Sequence, residues 1–158
     1  MFKFNNIDLE MFVKVISIDT TLMSERVNNF LDPPSKNGRY YQNSKYDYKE
    51  ITITFDIKSD TEEDCKDIID TLSSIFDVSE EKELVIDDNE RVYLAIPDGK
   101  FSKEKITKGM RRIKTSFICP IPFSHNSDAK IFNGGKKITV TNEGNTSTPA
   151  IVEVDFNG

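Results

Sequence analysis

Residues 48–57, YKEITITFDI, alternate without a break. Ile51, Ile53, Phe55 and Ile57 fall on one side, and Thr52, Thr54 and Asp56 on the other. A period of two dictates a strand with one buried and one polar face. The period then changes. Cys65, Ile68, Ile69, Leu72, Ile75 and Phe76 recur at helical spacing and predict an amphipathic helix over 60–77. Ser59 with Glu62, or Asp60 with Glu63, reads as its capping box. Glu62, Glu63 and Asp64 occupy the first turn, where the helix dipole favours negative charge. A helix with one apolar stripe must lie against a sheet.

The other segments are mostly strands. Residues 11–18, MFVKVISI, are β-branched and aromatic, and Asn5-Asn6 ahead of them is a turn signal that leaves Phe2 and Phe4 in a short first strand. Residues 24–47 show no sustained period and read as a long connection, more often interfacial than idle. Within it, Asn37-Gly38 suits the tip of a projecting hairpin. Residues 83–87 and 91–96 form a hairpin around Asp88-Asn89-Glu90. Residues 97–109 read as a polar connection, with Pro97-Asp98-Gly99 as a turn and Gly109 as a break. Residues 110–119 are a strand with Ile113, Phe117 and Cys119 on one face, weakened there by Arg111 and Thr115. Beyond Phe123 the chain turns polar, with Gly134-Gly135 as a hinge and two strand-like runs at 137–141 and 150–156. The expectation is an α+β fold, a mostly antiparallel β-sheet or sandwich with one packed α-helix. Residues 1–135 form its main domain, and 136–158 form the opening β-hairpin of a truncated C-terminal domain.

Charge excludes some functions. The 158 residues carry 21 basic and 27 acidic side chains, a net of −6. A dedicated nucleic-acid binder needs the opposite balance, because its affinity comes from neutralised phosphates. An anionic membrane surface is disfavoured for the same reason. No apolar run is long enough to span a bilayer, and the polar N-terminus is not a secretory signal. Two separated cysteines, Cys65 and Cys119, are not a disulfide framework.

No catalytic or metal-binding set can be assembled. His125 is the lone histidine, in a polar segment without a neighbouring ligand. Asp87, Asp88 and Glu90 cluster at a hairpin, where turns recruit such residues for backbone hydrogen bonds. Cys65 belongs to the helix's apolar stripe and reads as core. Asn145-Thr146-Ser147 reads only as a turn. The basic run Lys100, Lys103, Lys105, Lys108, Arg111, Arg112 and Lys114 reads as a solvated loop and strand face rather than a DNA contact. The candidate site is a subunit interface formed by Phe30, Leu31, Tyr40, Tyr41 and Tyr46 in the long connection, because aromatics are enriched at such surfaces.

One family unites these segments. Phe2-Lys3-Phe4-Asn5-Asn6 leads into the first strand, and ITITF (51–55) forms the second. Asp67 to Leu72 carries a D-x-I-x-x-L helix, and LVIDD (84–88) with RVYLA (91–95) a hairpin. FICPIPF (117–123) closes a strand, and 140–154, VTNEGNTSTPAIVEV, opens a new module. In this order they resemble the distal tail (Dit) proteins of long-tailed phages and prophages, specifically their ring-forming N-terminal domain. The resemblance implies a tail-tube-like fold and a hexameric ring of identical copies joining the tail tube to the baseplate or tail tip. It implies a virion protein assembled in the bacterial cytoplasm, with tail-tube and tail-tip partners. DNA would pass through without specific binding, and there would be no membrane contact, cofactor, metal or enzymatic activity. The alternatives are a tail-tube or tail-terminator protein, or a small carbohydrate- or ligand-binding module that binds through the aromatic segment.

Overall fold

The computed structural model describes residues 1–34, 37–86, 91–126, 131–134, 137–144 and 152–153. The chain divides into two compact units, Met1–Ser127 and Asp128–Gly158. In chain order the first unit holds β1 (Lys3–Phe4), β2 (Ile7–Asp8), a 3-10 turn (Leu9–Met11), β3 (Lys14–Thr20), β4 (Arg26–Leu31) and β5 (Tyr40–Tyr46). Then come β6 (Lys49–Lys58), α1 (Glu62–Phe76), β7 (Lys82–Val85), β8 (Arg91–Thr107), β9 (Met110–Cys119) and β10 (His125–Asn126). The described part of the second unit, 131–134, 137–144 and 152–153, has no assigned helix or strand, so the expected strand at 137–141 is not formed there. The strand expected at 150–156 lies almost wholly outside the described residues, as does Gly135.

The expected α+β architecture is present, and every described ladder is antiparallel. The main sheet runs β2-β1-β7-β8-β9-β6-β3, with β10 also paired to β8. β4 and β5 form a separate two-stranded ribbon. Asn5 and Asn6 form the two-residue turn between β1 and β2, both at positive φ (51° and 63°), as a type I′ hairpin requires.

β6 behaves as its alternation dictates: Ile51, Ile53, Phe55 and Ile57 are all buried. β9 pairs with it along its full length and adds Ile113, Phe117 and Cys119 to the same face. α1 lays Cys65, Leu72 and Phe76 over that face. The core is aromatic at its centre. Phe117 meets Phe4 at 5.3 Å, Phe76 at 5.7 Å and Phe2 at 6.4 Å between ring centroids. The first four residues are thereby fixed to the helix and to a strand more than a hundred positions later. Cys119 is buried in the same core, and that burial pushes its thiol up to about 11, which makes it an inert apolar filler.

Four expectations need correction. The helix is capped by Thr61, whose hydroxyl oxygen accepts from the Asp64 N–H at 3.0 Å, and not by Ser59 or Asp60. Ser59 has other work: its N–H donates to the Gly109 carbonyl at 2.9 Å, tying the helix entry to the β8–β9 turn. A side chain at Gly109 would run into the Ser59 carbonyl, so that approach requires glycine. Secondly, the strand near the N-terminus starts at Lys14 rather than Met11, because Leu9–Met11 is wound into a 3-10 turn capped by Asp8. Thirdly, Pro97-Asp98-Gly99 does not end a strand. β8 continues to Thr107, and the irregularity is a bulge in which β8 advances from Pro97 to Phe101 while β9 moves only from Phe117 to Thr115. Gly99 accommodates it at φ 73°. Lastly, residues 24–47 are not an irregular loop but the β4–β5 hairpin.

Thr115 faces the core, and its hydroxyl oxygen has no hydrogen-bond partner among the described residues. An orphaned buried hydroxyl costs stability that an apolar isostere does not. T115V is therefore expected to raise the unfolding free energy by about 1 kcal/mol, read as a higher urea midpoint at unchanged slope. A lower midpoint would show that the hydroxyl is satisfied.

Candidate functional site

The five aromatic and apolar residues singled out in the sequence come together on the β4–β5 hairpin. Phe30 stands opposite Tyr41, and Leu31 opposite Tyr40, while Tyr46 pairs with Arg26 at the base. The Phe30 and Tyr41 rings meet edge-on with centroids 6.0 Å apart. Successive pairs point to opposite faces of a strand ribbon, so both faces of the distal half carry large apolar groups. Phe30, Leu31, Tyr40 and Tyr41 are 49–58 % exposed. The root is better anchored. The Asp47 N–H donates to the Glu25 carbonyl at 2.8 Å, the Arg26 guanidinium lies 5.2 Å from the Tyr46 ring centre, and Tyr46 meets Phe123 edge-on at 5.4 Å. Asn29 donates from its amide to the Asn43 side-chain oxygen across the ribbon at 2.7 Å. A two-stranded ribbon wet on both faces is marginal by itself. Among the described residues the distal half of the hairpin has no covering layer, so it stands out as an exposed arm.

The sheet offers a second unsatisfied feature. β8 belongs to two neighbourhoods. Val92–Ala95 pairs with β7, and from Ile96 onward the pairing is with β9. Past the bulge, β8 has a partner on one side only among the described residues, and so does β3. The outer half of β8, then β9, β6 and β3 therefore make a four-stranded layer with both edges open.

Strand alternation gives that layer two unlike faces. One carries the core under α1. The other is mostly polar, holding Lys14, Ser17, Asp19, Glu50, Thr52, Thr54, Asp56, Lys58, Ser102, Glu104, Arg112, Lys114 and Ser116 by register, with Met110 and Ile118 at its two ends. Four of these are basic and four acidic, so the face is charge-balanced. Thr52 and Ser116 share a hydroxyl hydrogen bond of 2.9 Å. Arg112 donates twice to Asp56, both at 2.8 Å, in a bidentate pair that crosses from β9 to β6.

The basic run of the sequence is split by the same alternation. Arg112 and Lys114 face the polar side, whereas Lys103, Lys105 and Arg111 face the helix side. Arg111 is buried there. Its guanidinium donates to the Thr107 carbonyl at 2.6 Å and to Glu62 at 2.8 Å, while Lys105 reaches the same carboxylate at 3.0 Å. Glu62 is held below its ordinary carboxylate value, chiefly by the Lys105 hydrogen bond. This cluster joins the helix N-terminus to the tip of the β8–β9 hairpin, so the basic run of 100–114 does not form one continuous surface. Sequence reading registered Arg111 as a flaw in the alternation. Its partner Glu62, far away in the chain, carried no local signal.

The remaining residues of interest are dispersed. His125 is not in a loop but in β10, opposite Val92. Asp87, Asp88, Glu90 and the Asn145-Thr146-Ser147 segment lie outside the described residues. A cleft of about 200 Å³ opens between α1 and β8, lined by Ile69, Leu72, Phe76, Phe101 and Ile113 among others. Phe76 and Phe101 stack across it at 5.6 Å.

Asp56 supplies a pH dependence. The Arg112 hydrogen bonds hold its carboxyl below the ordinary value of 3.8, burial opposing them in part. A depressed folded-state value means that the pair stabilises the fold above 3.8, and that this contribution fades as pH falls below it through the folded value. D56N is expected to lose about 1–2 kcal/mol at neutral pH, and the gap between wild type and variant should close as the pH drops below 3.8. A gap that stays constant down to pH 2 would show that the charge is immaterial.

The family model for the phage tail protein RIFT-related domain matches residues 4–119. Among solved structures, the crystal structure of the SPP1 Dit protein, described as a hub adsorption apparatus of phages that infect Gram-positive bacteria, superposes with a TM-score of 0.68. At 14 % identity this likeness is one of fold. The match covers 79 % of this chain and 51 % of the SPP1 protein, so this chain spans about half of that relative. No curated protein matches in sequence.

Proposed function

The chain belongs to the phage tail protein RIFT-related domain family, and from that premise we propose that its copies close head to tail into a ring of six, joining the tail tube to the tail tip. As a phage tail protein it is part of the virion. In this reading it acts mechanically and performs no catalysis. Its neighbours are its own copies and the tube and tip proteins above and below.

The observation that carries the reading is the pair of open edges on the four-stranded layer. An open edge presents unpaired backbone groups that invite another strand. β3 on one copy and the outer half of β8 on the next are different surfaces, so their union is heterologous and must either close or run on as a filament. Strand direction favours closure. The order β8, β9, β6, β3 alternates in direction, with an even number of strands. Rotation about an axis along the strands therefore sets β3 antiparallel to the next β8, and the alternation continues unbroken around the circle.

Six such layers make a barrel of 24 strands. At about 4.8 Å per strand its diameter is roughly 37 Å before strand tilt widens it. That accommodates duplex DNA. The helix packs on the apolar side of the layer, which leaves the polar, charge-balanced face for the lumen. Such a face has no net attraction for phosphates, as suits a conduit that must not hold its cargo. The SPP1 relative's description as a hub fits the same location at the end of a tail. The exposed arm supplies a second contact between neighbours through Phe30, Leu31, Tyr40, Tyr41 and Tyr46.

Sedimentation at rising concentration should reveal a species six times the 18.1 kDa chain mass, and negative-stain images of it should show a central hole. A two-fold dimer as the terminal species, with no larger ring at any concentration, would overturn the proposal.

A further inference from the structure

We infer that the cleft between α1 and β8 is the socket for the neighbouring copy's β4–β5 arm. The inference rests on the ring reading and adds to it a partner for each of two otherwise unsatisfied surfaces.

Three observations converge. The first is position. Phe101 lies on the outer half of β8 and forms one wall of the cleft. The cleft thus opens beside the free edge that a neighbour's β3 would join. In that neighbour, β3 ends at Thr20 and the arm begins at Arg26. Six residues reach about 20 Å at most, so the root of the arm is delivered close to the socket. The strand β4 adds a similar length.

The second is apolar fit. The socket is lined mainly by Ile69, Leu72, Phe76, Phe101 and Ile113, together with Ser73 and Lys103, and Phe101 is itself 44 % exposed. The arm presents Phe30 and Tyr41 as one joined aromatic pair. A hydrophobic projection and a complementary pocket on different parts of one molecule make a heterologous contact, the kind that a ring needs.

The third is charge. Residues 26–46 of the arm carry four basic side chains against one acidic, a net of +3. Helix α1, residues 62–76, carries five acidic against one basic, a net of −4. Glu62 already serves Arg111 and Lys105. Glu63, Asp67 and Asp70 are exposed and border a shallow depression on the helix. A basic arm laid over this helix brings its cations, Arg39 and Lys45 among them, toward the exposed acidic face that carries Glu63, Asp67 and Asp70 while its aromatic pair enters the socket. Arg39 pairs with Asp32 of its own arm at 2.8 Å, but an exposed pair of that kind is worth little and can exchange partners.

Charge reversal on the full chain tests this, because all four sites are exposed and the fold should survive, as circular dichroism and melting temperature will confirm. R39E with K45E, and separately D67K with D70K, should each weaken self-association by roughly tenfold or more at physiological salt. All four changes in one chain should restore it. F30S should weaken association in either background, because it removes one ring of the pair that fills the socket. If rings form with unchanged affinity in both double variants, or if the fourfold variant is no better than the doubles, the arm docks elsewhere and this inference fails while the ring stands. A wild-type chain that remains monomeric at millimolar concentration overturns both.

Discussion

The architecture turns on the change of partners within β8. Its first residues are held between β7 and β10, and its later ones lean on β9 alone. Had β7 been as long as β8, the outer half would be covered and the layer would be closed on that side. Instead β7 begins only at Lys82, opposite Ala95, and runs for four residues toward the start of β8. The bulge at Pro97–Phe101 lies at this transition. Pro97 contributes no N–H to a ladder, and Gly99 takes a backbone conformation that ordinary residues avoid. The bulge lets one strand bend from one neighbourhood into the other without breaking. The price is an unpaired edge, tolerable in a monomer only because it carries Lys100, Lys103 and Lys105, charges of the sort that discourage indiscriminate strand addition.

The core makes that exposure sustainable. Phe117 touches rings from β1 and α1 as well as the N-terminal Phe2, so three distant parts of the chain are locked at one point. Around the rim, polar links do the same work. Ser59 binds the β8–β9 turn, and Arg111 joins three carbonyls of that turn to Glu62. The distal end of the β8–β9 hairpin is therefore braced by the helix entry and not left to flap. An open edge that is rigid can be joined by a partner at small entropic cost, whereas a mobile edge would first have to be ordered.

The legible parts of the fold were those whose signal is local. β6 and α1 have periods of 2 and 3.6 with one face fully buried, and hydrophobic pattern alone defines them. The arm failed that test for a physical reason. A ribbon wet on both sides need not alternate, and RVNNFL opposite YYQNSKY does not. Its residues still stood out by chemistry, since Phe30, Leu31, Tyr40, Tyr41 and Tyr46 are too apolar for an idle connection. Their placement on one hairpin was visible only in the tip signal Asn37-Gly38. The continuation of β8 was hidden by Pro97-Asp98-Gly99, which reads as a turn in isolation and becomes a bulge once β9 offers a template. The cap was misplaced by two residues because Ser59, Asp60 and Thr61 are all competent. Gly109, some fifty positions later, engages Ser59 and leaves Thr61 to cap.

The charge distribution has the same logic. A net of −6 argued against nucleic-acid binding, yet total charge says little about where the charges point. The ladder registers sort them. On the polar face of the four-stranded layer, basic and acidic groups cancel, and Asp56 with Arg112 cancel by direct bonding. The acidic excess lies largely on α1, on the opposite side of the layer, and the basic excess lies on the arm. In the proposed ring, a charge-balanced lumen would exert no net pull on a passing polyanion. The proposed ring would carry the strongly charged surfaces on its outside. This arrangement leaves two oppositely charged surfaces on one chain, and in a closed ring each copy can offer one of them to the neighbour on either side.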